Sequence, residues 1–213
     1  MMLSEKYRPK TIDDCVLSHL EPFEEQLLRT SAKADRLPNL LLFGTPGTGK
    51  TTVARILCNP ERYCVSEYNG SLLGKSGVET IQKMLHTRSL LHDHRCILID
   101  EVDGITADGQ KALRAMIEQD PDRISWIFTA NNRNAISDAL QSRMMCIDFS
   151  LPSPNRLRQH ADKIVDRCLS ILRREGLSEI NPDDVRKIVQ LKGFDIRQSL
   201  NELQARFMYS LAS

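Results

Sequence analysis

The 213-residue sequence predicts an α/β fold: a parallel sheet with helices on both faces, followed by a small all-helical lid. Three observations carry this. Short apolar runs of strand length alternate with helical stretches between about residues 40 and 149, as in a parallel sheet buried on both faces. A glycine-rich segment, Gly44–Thr51, stands where an apolar run gives way to a helical stretch. At Pro152-Ser153-Pro154 the alternation stops, and only helical periodicity follows.

In chain order, residues 1–20 read as irregular and polar, interrupted by Pro9. Residues 21–34 read as a helix, with Phe23, Leu27 and Leu28 at helical spacing. After Pro38, Leu40-Leu41-Leu42-Phe43 reads as a buried strand; the glycine-rich loop follows, then a helix to Cys58. Tyr63–Tyr68 is a second strand, and Val78–Leu91 a helix with Ile81, Met84, Leu85 and Leu91 apolar. Cys96–Ile99 is a strand ending in Asp100-Glu101, Asp108–Gln119 a helix, Ile124–Thr129 a strand and Met145–Phe149 another. Three helical segments follow. Leu157, Ala161, Ile164, Val165, Cys168, Ile171 and Leu172 keep one helical period, and Ile196, Leu200, Leu203, Phe207 and Leu211 another. The expected division is 1–152 and 153–213, hinged at the two prolines.

Composition excludes some classes. With 29 Lys and Arg against 28 Asp and Glu, the net charge of +1 neither demands nor rules out nucleic acid. Met1–Lys6 has no apolar leader core, so no signal peptide is expected. No run approaches the roughly 18 apolar residues of a membrane helix, so no membrane partner is expected. The six cysteines form no CxxC pair, which favours reduced core thiols in a cytoplasmic protein over zinc or disulfides.

Gly44-Thr45-Pro46-Gly47-Thr48-Gly49-Lys50-Thr51 matches GxxxxGK(S/T), the P-loop pattern, between an expected strand and an expected helix. Its glycines let backbone N–H groups curl around phosphate oxygens, and the helix N-terminus adds partial positive charge. Lys50 is expected to reach the β- and γ-phosphates of ATP, and the Thr51 hydroxyl to ligate Mg²⁺. Ile97-Leu98-Ile99-Asp100-Glu101 ends a strand in two acids: Asp100 suits a Mg²⁺ partner and Glu101 a general base for water. Thr129-Ala130-Asn131-Asn132 ends another strand, where an amide can orient the lytic water or touch the γ-phosphate.

These motifs, in this order and at this spacing, resemble those of AAA+ clamp-loader ATPase subunits of the phage and archaeal/eukaryotic small-subunit types, over nearly the whole chain. Glu5-Lys6-Tyr7-Arg8-Pro9 is similar to the family's box around the adenine, which implies ATP contacts for Tyr7, Arg8 and Pro9 beside those of Gly44–Thr52, Thr52 included. Asp100-Glu101-Val102-Asp103 resembles its DExD box, and Asn131 aligns with sensor 1. Gln141-Ser142-Arg143 resembles the Ser-Arg-Cys box, with Met144 in place of the cysteine; the resemblance implies that Arg143 is an arginine finger for a neighbour's ATP. Phe194-Asp195-Ile196-Arg197 resembles the sensor 2 segment, with Arg197 reaching the phosphates and Asp195 capping its helix.

The resemblance further implies a RecA-like AAA+ domain over 1–152 and a lid over 153–213, without the family's collar domain or its bacterial zinc module. Gln110 and Arg114, i and i+4 opposite the Leu113, Met116 and Ile117 face, would lie on the helix that links DNA contact to the ATP site. Lys75 and Thr106 are expected to touch template phosphates, and Asn69 to latch Glu101. The implied function is that of the ATPase subunit of a sliding-clamp loader, with a ring clamp, primer-template DNA and other loader subunits as partners. Another AAA+ DNA motor, a helicase loader, or a non-catalytic nucleotide-binding adaptor are the alternatives. A phage source would place it in the host cytoplasm.

Overall fold

The structure, a computed structural model, describes residues 1–87, 89, 91–177 and 179–209; the side chains of Lys75, Met208 and Tyr209 are outside that description. Five strands are present among these residues: β1 (Leu40–Phe43), β2 (Cys64–Asn69), β3 (Arg95–Asp100), β4 (Ile124–Ala130) and β5 (Met145–Asp148). They form one parallel sheet in the order β2-β3-β4-β1-β5. Nine α-helices accompany them: α1 (Leu3–Lys6), α2 (Pro22–Ser31), α3 (Lys50–Leu57), α4 (Lys75–Leu85), α5 (Ala107–Ile117), α6 (Asp138–Gln141), α7 (Pro154–Arg174), α8 (Pro182–Leu191) and α9 (Ile196–Gln204).

Strand alternation explains the continuous apolar runs. Leu41 and Phe43 face one side with Ile97, Ile99, Trp126 and Phe128, packed on Ile81, Leu85, Leu113 and Met116 of α4 and α5. Leu40 and Leu42 face the other with Leu98, Ile127 and Ile147, packed on Leu28, Val53 and Leu57 of α2 and α3. Successive side chains point to opposite faces, so a strand covered on both must be apolar throughout. A third cluster joins α7, α8 and α9 through Ile164, Cys168, Leu172, Val185, Val189, Leu200 and Leu203.

Three expectations change. Residues 1–20 are not wholly irregular: α1 and a 3₁₀ turn at Ile12–Asp14 occur there. Leu3 is buried against the C-terminal helices, and its N–H donates to Gln204 Oε1 at 2.7 Å. The helix expected over 78–91 runs from Lys75 to Leu85; Thr87 Oγ1 donates to Met84 O, Ser89 Oγ accepts from the N–H of Leu91 and His92, and Leu91 is exposed. Those side chains compete with the backbone for the bonds that would continue the helix. Phe23, despite its helical spacing, is 71% exposed, because Leu28 fills the side of α2 that meets the sheet. Leu211 lies outside the described residues.

Residues 18–21 meet the start of α7 through a polar knot. Arg156 Nη1 donates to Glu21 Oε1 at 2.5 Å, and its Nη2 to the carbonyl of Leu20. His160 Nδ1 lies 2.9 Å from Ser18 Oγ. The His19 ring packs on Phe149 and His160, with both ring nitrogens buried and unpartnered. Burial pushes His19 down to about 3, helped by the charges of His160, Arg156 and Lys50, and pushes His160 down to about 4, helped by Arg156.

Both folded values lie below the ordinary 6.5, so as pH falls the unfolded chain takes up protons first and stability drops. Above pH 6.5 the histidines leave stability flat. Replacing His19 by Leu is expected to remove about 2 kcal/mol of the loss between pH 7 and pH 5. Urea unfolding of parent and variant at both pH values measures it; equal losses would mean that His19 is not held neutral.

Candidate functional site

Parallel register brings the carboxyl ends of four strands, β1 to β4, to one edge. Phe43 pairs with Ala130, Ile99 with Phe128, and Asn69 with Asp100. The loop after β1 therefore lies beside the acids at the end of β3 and the turn after β4.

The loop turns at Gly44, Gly47 and Gly49, with φ of 130°, 79° and 98°. A Cβ at Gly44 would lie 2.5 Å from Ser150 N and 2.6 Å from Phe149 C, so only glycine lets the backbone after β5 approach so closely. Gly49 caps α3 in the left-handed region. Among the described residues, the N–H groups of Gly47, Thr48, Gly49, Lys50 and Thr51 donate to no protein acceptor. They form an anion cradle at a helix N-terminus.

Lys50 is buried and donates from Nζ to the carbonyls of Gly44 at 2.7 Å and Thr45 at 2.8 Å. Burial pushes its pKa down to about 8, against the pull of the Asp103, Asp100 and Asp195 carboxylates. Thr48 Oγ1 donates to Thr45 O at 2.8 Å and stiffens the same turn.

Thr51 Oγ1 donates to Asp100 Oδ1 at 2.8 Å, and Thr129 Oγ1 donates to the same oxygen. The Glu101 N–H donates to Thr129 Oγ1 at 3.0 Å, so Thr129 ties the two acids together. In the sequence Thr129 lies at a strand end, where a threonine looks like ordinary strand composition. Thr51 and Asp100 form a hard-oxygen pair of the kind that Mg²⁺ shares with phosphate and water. No group of three or more His, Cys, Asp or Glu among the described residues makes a self-sufficient metal cage.

Glu101 has φ +57°, an uncommon conformation for a residue with a Cβ. Its carboxylate accepts from Ser71 Oγ at 3.1 Å and from Asn69 Nδ2 at 3.5 Å. Asn69 is thus at the expected place, but Ser71 is the closer partner, delivered by the 3₁₀ turn Gly70–Leu72. Asp103 Oδ2 accepts the N–H groups of Asn131 and Asn132, both at 3.0 Å, and so fixes the turn that carries Asn131.

The cleft is closed from two further directions. Tyr7, Arg8 and Pro9 line it, as do Cys15, Val16 and Leu17, whose contribution the irregular look of the segment concealed. Tyr7 OH and Lys6 Nζ bind Glu175 Oε1 at the end of α7, while Arg8 Nε lies 3.4 Å from Thr52 Oγ1. From the lid come Ile171, Ile196, Arg197 and Leu200, beside Glu101 and Asn131. Asp195 caps α9, its Oδ1 accepting from Gln198 N at 2.9 Å, as expected from sequence.

Other expected site residues lie apart. Arg143 does not project freely: Nε donates to Glu118 Oε1 at 2.5 Å and Nη1 to Ala139 O at 2.7 Å. Gln110 is not on a solvated face. It is buried, donates from Nε2 to Ala135 O at 2.8 Å and accepts from Ser137 N at 2.8 Å. The inward side of α5 spans Gln110 as well as Leu113, and the carbonyls beyond β4 need a donor there. Arg114 is exposed. Thr106 caps α5 by accepting from Gly109 N at 3.3 Å. The Lys75 side chain lies outside the described residues. Among those residues no helix is long and apolar enough to cross a membrane.

Known proteins are similar to this chain. The ATPase family associated with various cellular activities (AAA) matches residues 40–152. The sliding-clamp-loader large subunit of Enterobacteria phage T4 is 31% identical over 208 residues, covering 96% of this chain and 64% of its own length. The replication factor C small subunit of Natronomonas pharaonis is 33% identical over 210 residues, covering 94% and 61%. Replication factor C subunit 5 of Homo sapiens is 31% identical over 217 residues, covering 96% and 59%. This chain therefore spans about six tenths of the length of these relatives. In fold, a single-substitution variant of Thermotoga maritima RuvB superposes with TM-score 0.72 at 20% identity, over 97% of this chain and 66% of that one. The family match takes in the glycine-rich loop Gly44–Thr51, the two acids at the end of β3 and the turn carrying Asn131, so the chain belongs to the AAA family of ATPases.

Proposed function

We propose that this chain binds and hydrolyses ATP as the motor part of a sliding-clamp loader, which opens a ring clamp and loads it onto primer-template DNA. The observation that carries the ATPase reading is the convergence of Lys50, the Thr51–Asp100 pair and Glu101 at one sheet edge. The clamp-loader reading rests on the names of the relatives and on the Glu5–Pro9 and Ser142-Arg143 boxes.

In this reading the N–H groups of Gly47–Thr51 hold the phosphates, and Lys50 turns from the Gly44 and Thr45 carbonyls toward the β- and γ-oxygens. Tyr7, Arg8 and Pro9 enclose the adenine. Thr51 and Asp100 hold Mg²⁺, which when bound neutralises phosphate charge. Glu101 leaves Ser71 and Asn69 to accept a proton from the attacking water, which Asn131 orients. Arg197 reaches the phosphates from the lid. Arg143 exchanges Glu118 for the γ-phosphate of a neighbouring subunit's ATP. Gln110 links α5 to the turn after β4, and Thr106, Arg114 and Lys75 lie toward the DNA phosphates. Residues 1–152 and 153–213 act as nucleotide-binding domain and lid.

Binding and chemistry separate at different residues. Lys50→Ala is expected to weaken ATP binding about thirtyfold or more, because the phosphates lose their buried cation. Glu101→Gln is expected to bind normally but turn over about 10²–10⁴-fold more slowly, because only water activation is removed. Calorimetric titration together with a phosphate-release assay distinguishes the two; equal loss of affinity in both contradicts the roles.

The finger is tested by mixing. Arg143→Ala keeps its own site and Lys50→Ala keeps its finger. Neither hydrolyses ATP alone, and an equal mixture at high concentration regains part of the parent's turnover. Absence of recovery, with parent turnover independent of concentration, would place Arg143 outside the reaction.

Partners are tested by stimulation. ATP turnover is expected to rise when cognate clamp and primer-template DNA are added together, and the rise to fade steeply with salt, because phosphate contacts release counterions. Turnover indifferent to both partners at low salt would favour a different DNA motor or a nucleotide-binding adaptor.

A further inference from the structure

The lid meets the phosphate-binding loop where Asp195 packs on Gly47. A Cβ built at Gly47 would fall 2.0 Å from the carboxylate of Asp195, so the two groups are packed face to face. Asp195 is buried, and it is held rigidly. Its Oδ1 accepts from Gln198 N at 2.9 Å and its Oδ2 from Gln198 Nε2 at 3.1 Å. Its carbonyl accepts from Ser199 N at 2.9 Å and Ser199 Oγ at 2.7 Å. Two residues further along α9, Arg197 faces the cleft. The lid thus turns a carboxylate onto the loop and a guanidinium into the same cleft, from one helix start.

The negative group does more than cap. A hydroxyl or an amide would cap α9 equally well. A full charge seated on a loop whose N–H groups point at anions is a different matter, since like charges at short range in a partly buried site repel. The field of Asp195 already reaches Lys50, alongside those of Asp100 and Asp103.

We propose that Asp195 is a lid-borne positioning residue whose charge makes lid closure, and hence the approach of Arg197, depend on the phosphate charge held in the loop. This rests on the nucleotide-binding reading of the cleft. Each added phosphate pushes against the carboxylate on Gly47 while attracting the guanidinium of Arg197. The balance sets the lid position, and a neutral residue at 195 removes the opposing half.

The test uses calorimetric titration of the whole chain with adenosine, ADP and the slowly hydrolysed analogue ATPγS, for the parent, Asp195→Asn and Asp195→Ser. Both substitutions keep a capping side chain, and two variants guard against one that folds poorly. Neutralising Asp195 is expected to tighten ADP and ATPγS by about threefold to tenfold, more for ATPγS, with the gain shrinking at high salt. Adenosine affinity stays at the parent value. If adenosine shifts as much as ATPγS, or neither nucleotide tightens in a folded variant, Asp195 is a cap and the proposal fails. If the parent itself does not prefer ATPγS to adenosine, the nucleotide reading fails and this proposal with it.

Discussion

Parallel pairing of β4 with both β1 and β3 is the constraint on which the rest of the molecule depends. It brings three strand ends to one edge, which is where chain reversals and helix starts must then occur. The loop after β1, the acids at the end of β3 and the asparagine turn after β4 come from residues far apart in sequence. They meet because hydrogen-bond register leaves their strands no other alignment. The two apolar layers hold that register, since a slip of one residue would turn Leu41 and Phe43 to the face that Leu40 and Leu42 fill.

At that edge, hydroxyls settle the arrangement of charge. Thr51 and Thr129 both donate to Asp100, Thr129 also accepts the N–H of Glu101, and Ser71 holds the Glu101 side chain. Each hydroxyl satisfies a carboxylate oxygen by a hydrogen bond rather than an ion pair. Lys50 is the opposing element. It is buried and bonded to two carbonyls, which keeps the ammonium hydrogen-bonded but not ion-paired. A cation held that way is ready to exchange neutral partners for anionic ones.

The N-terminal segment connects this edge to the lid. Leu3 is buried among α7, α8 and α9; Lys6 and Tyr7 bind Glu175; Arg8 and Pro9 line the cleft; His19 and Ser18 pack on α7. The lid itself meets the loop where Asp195 packs on Gly47, while Phe149 and Ser150 pack on Gly44.

Local pattern determined the sheet, the loop and the acids. Glycines before Lys50-Thr51, apolar runs with no polar interruption, and Asp100-Glu101 at a strand end each express a requirement that neighbouring residues meet by themselves. The lid helices and the Asp195 cap were legible for the same reason. Tertiary structure decided what depends on partners distant in the chain. Gln110 reads as part of a polar helix face until the carbonyl of Ala135 needs its amide; Arg143 reads as a projecting cation until Glu118 reaches it; Ser71 and Thr129 read as ordinary small residues until Glu101 and Asp100 arrive between them. Leu3 and Val16 belong to a segment with no regular period, because their apolar partners lie on the lid rather than one helical turn away. Sequence periodicity records which face of an element is buried. Which side chain a polar group meets is set by the packing of elements, and no spacing along the chain encodes it.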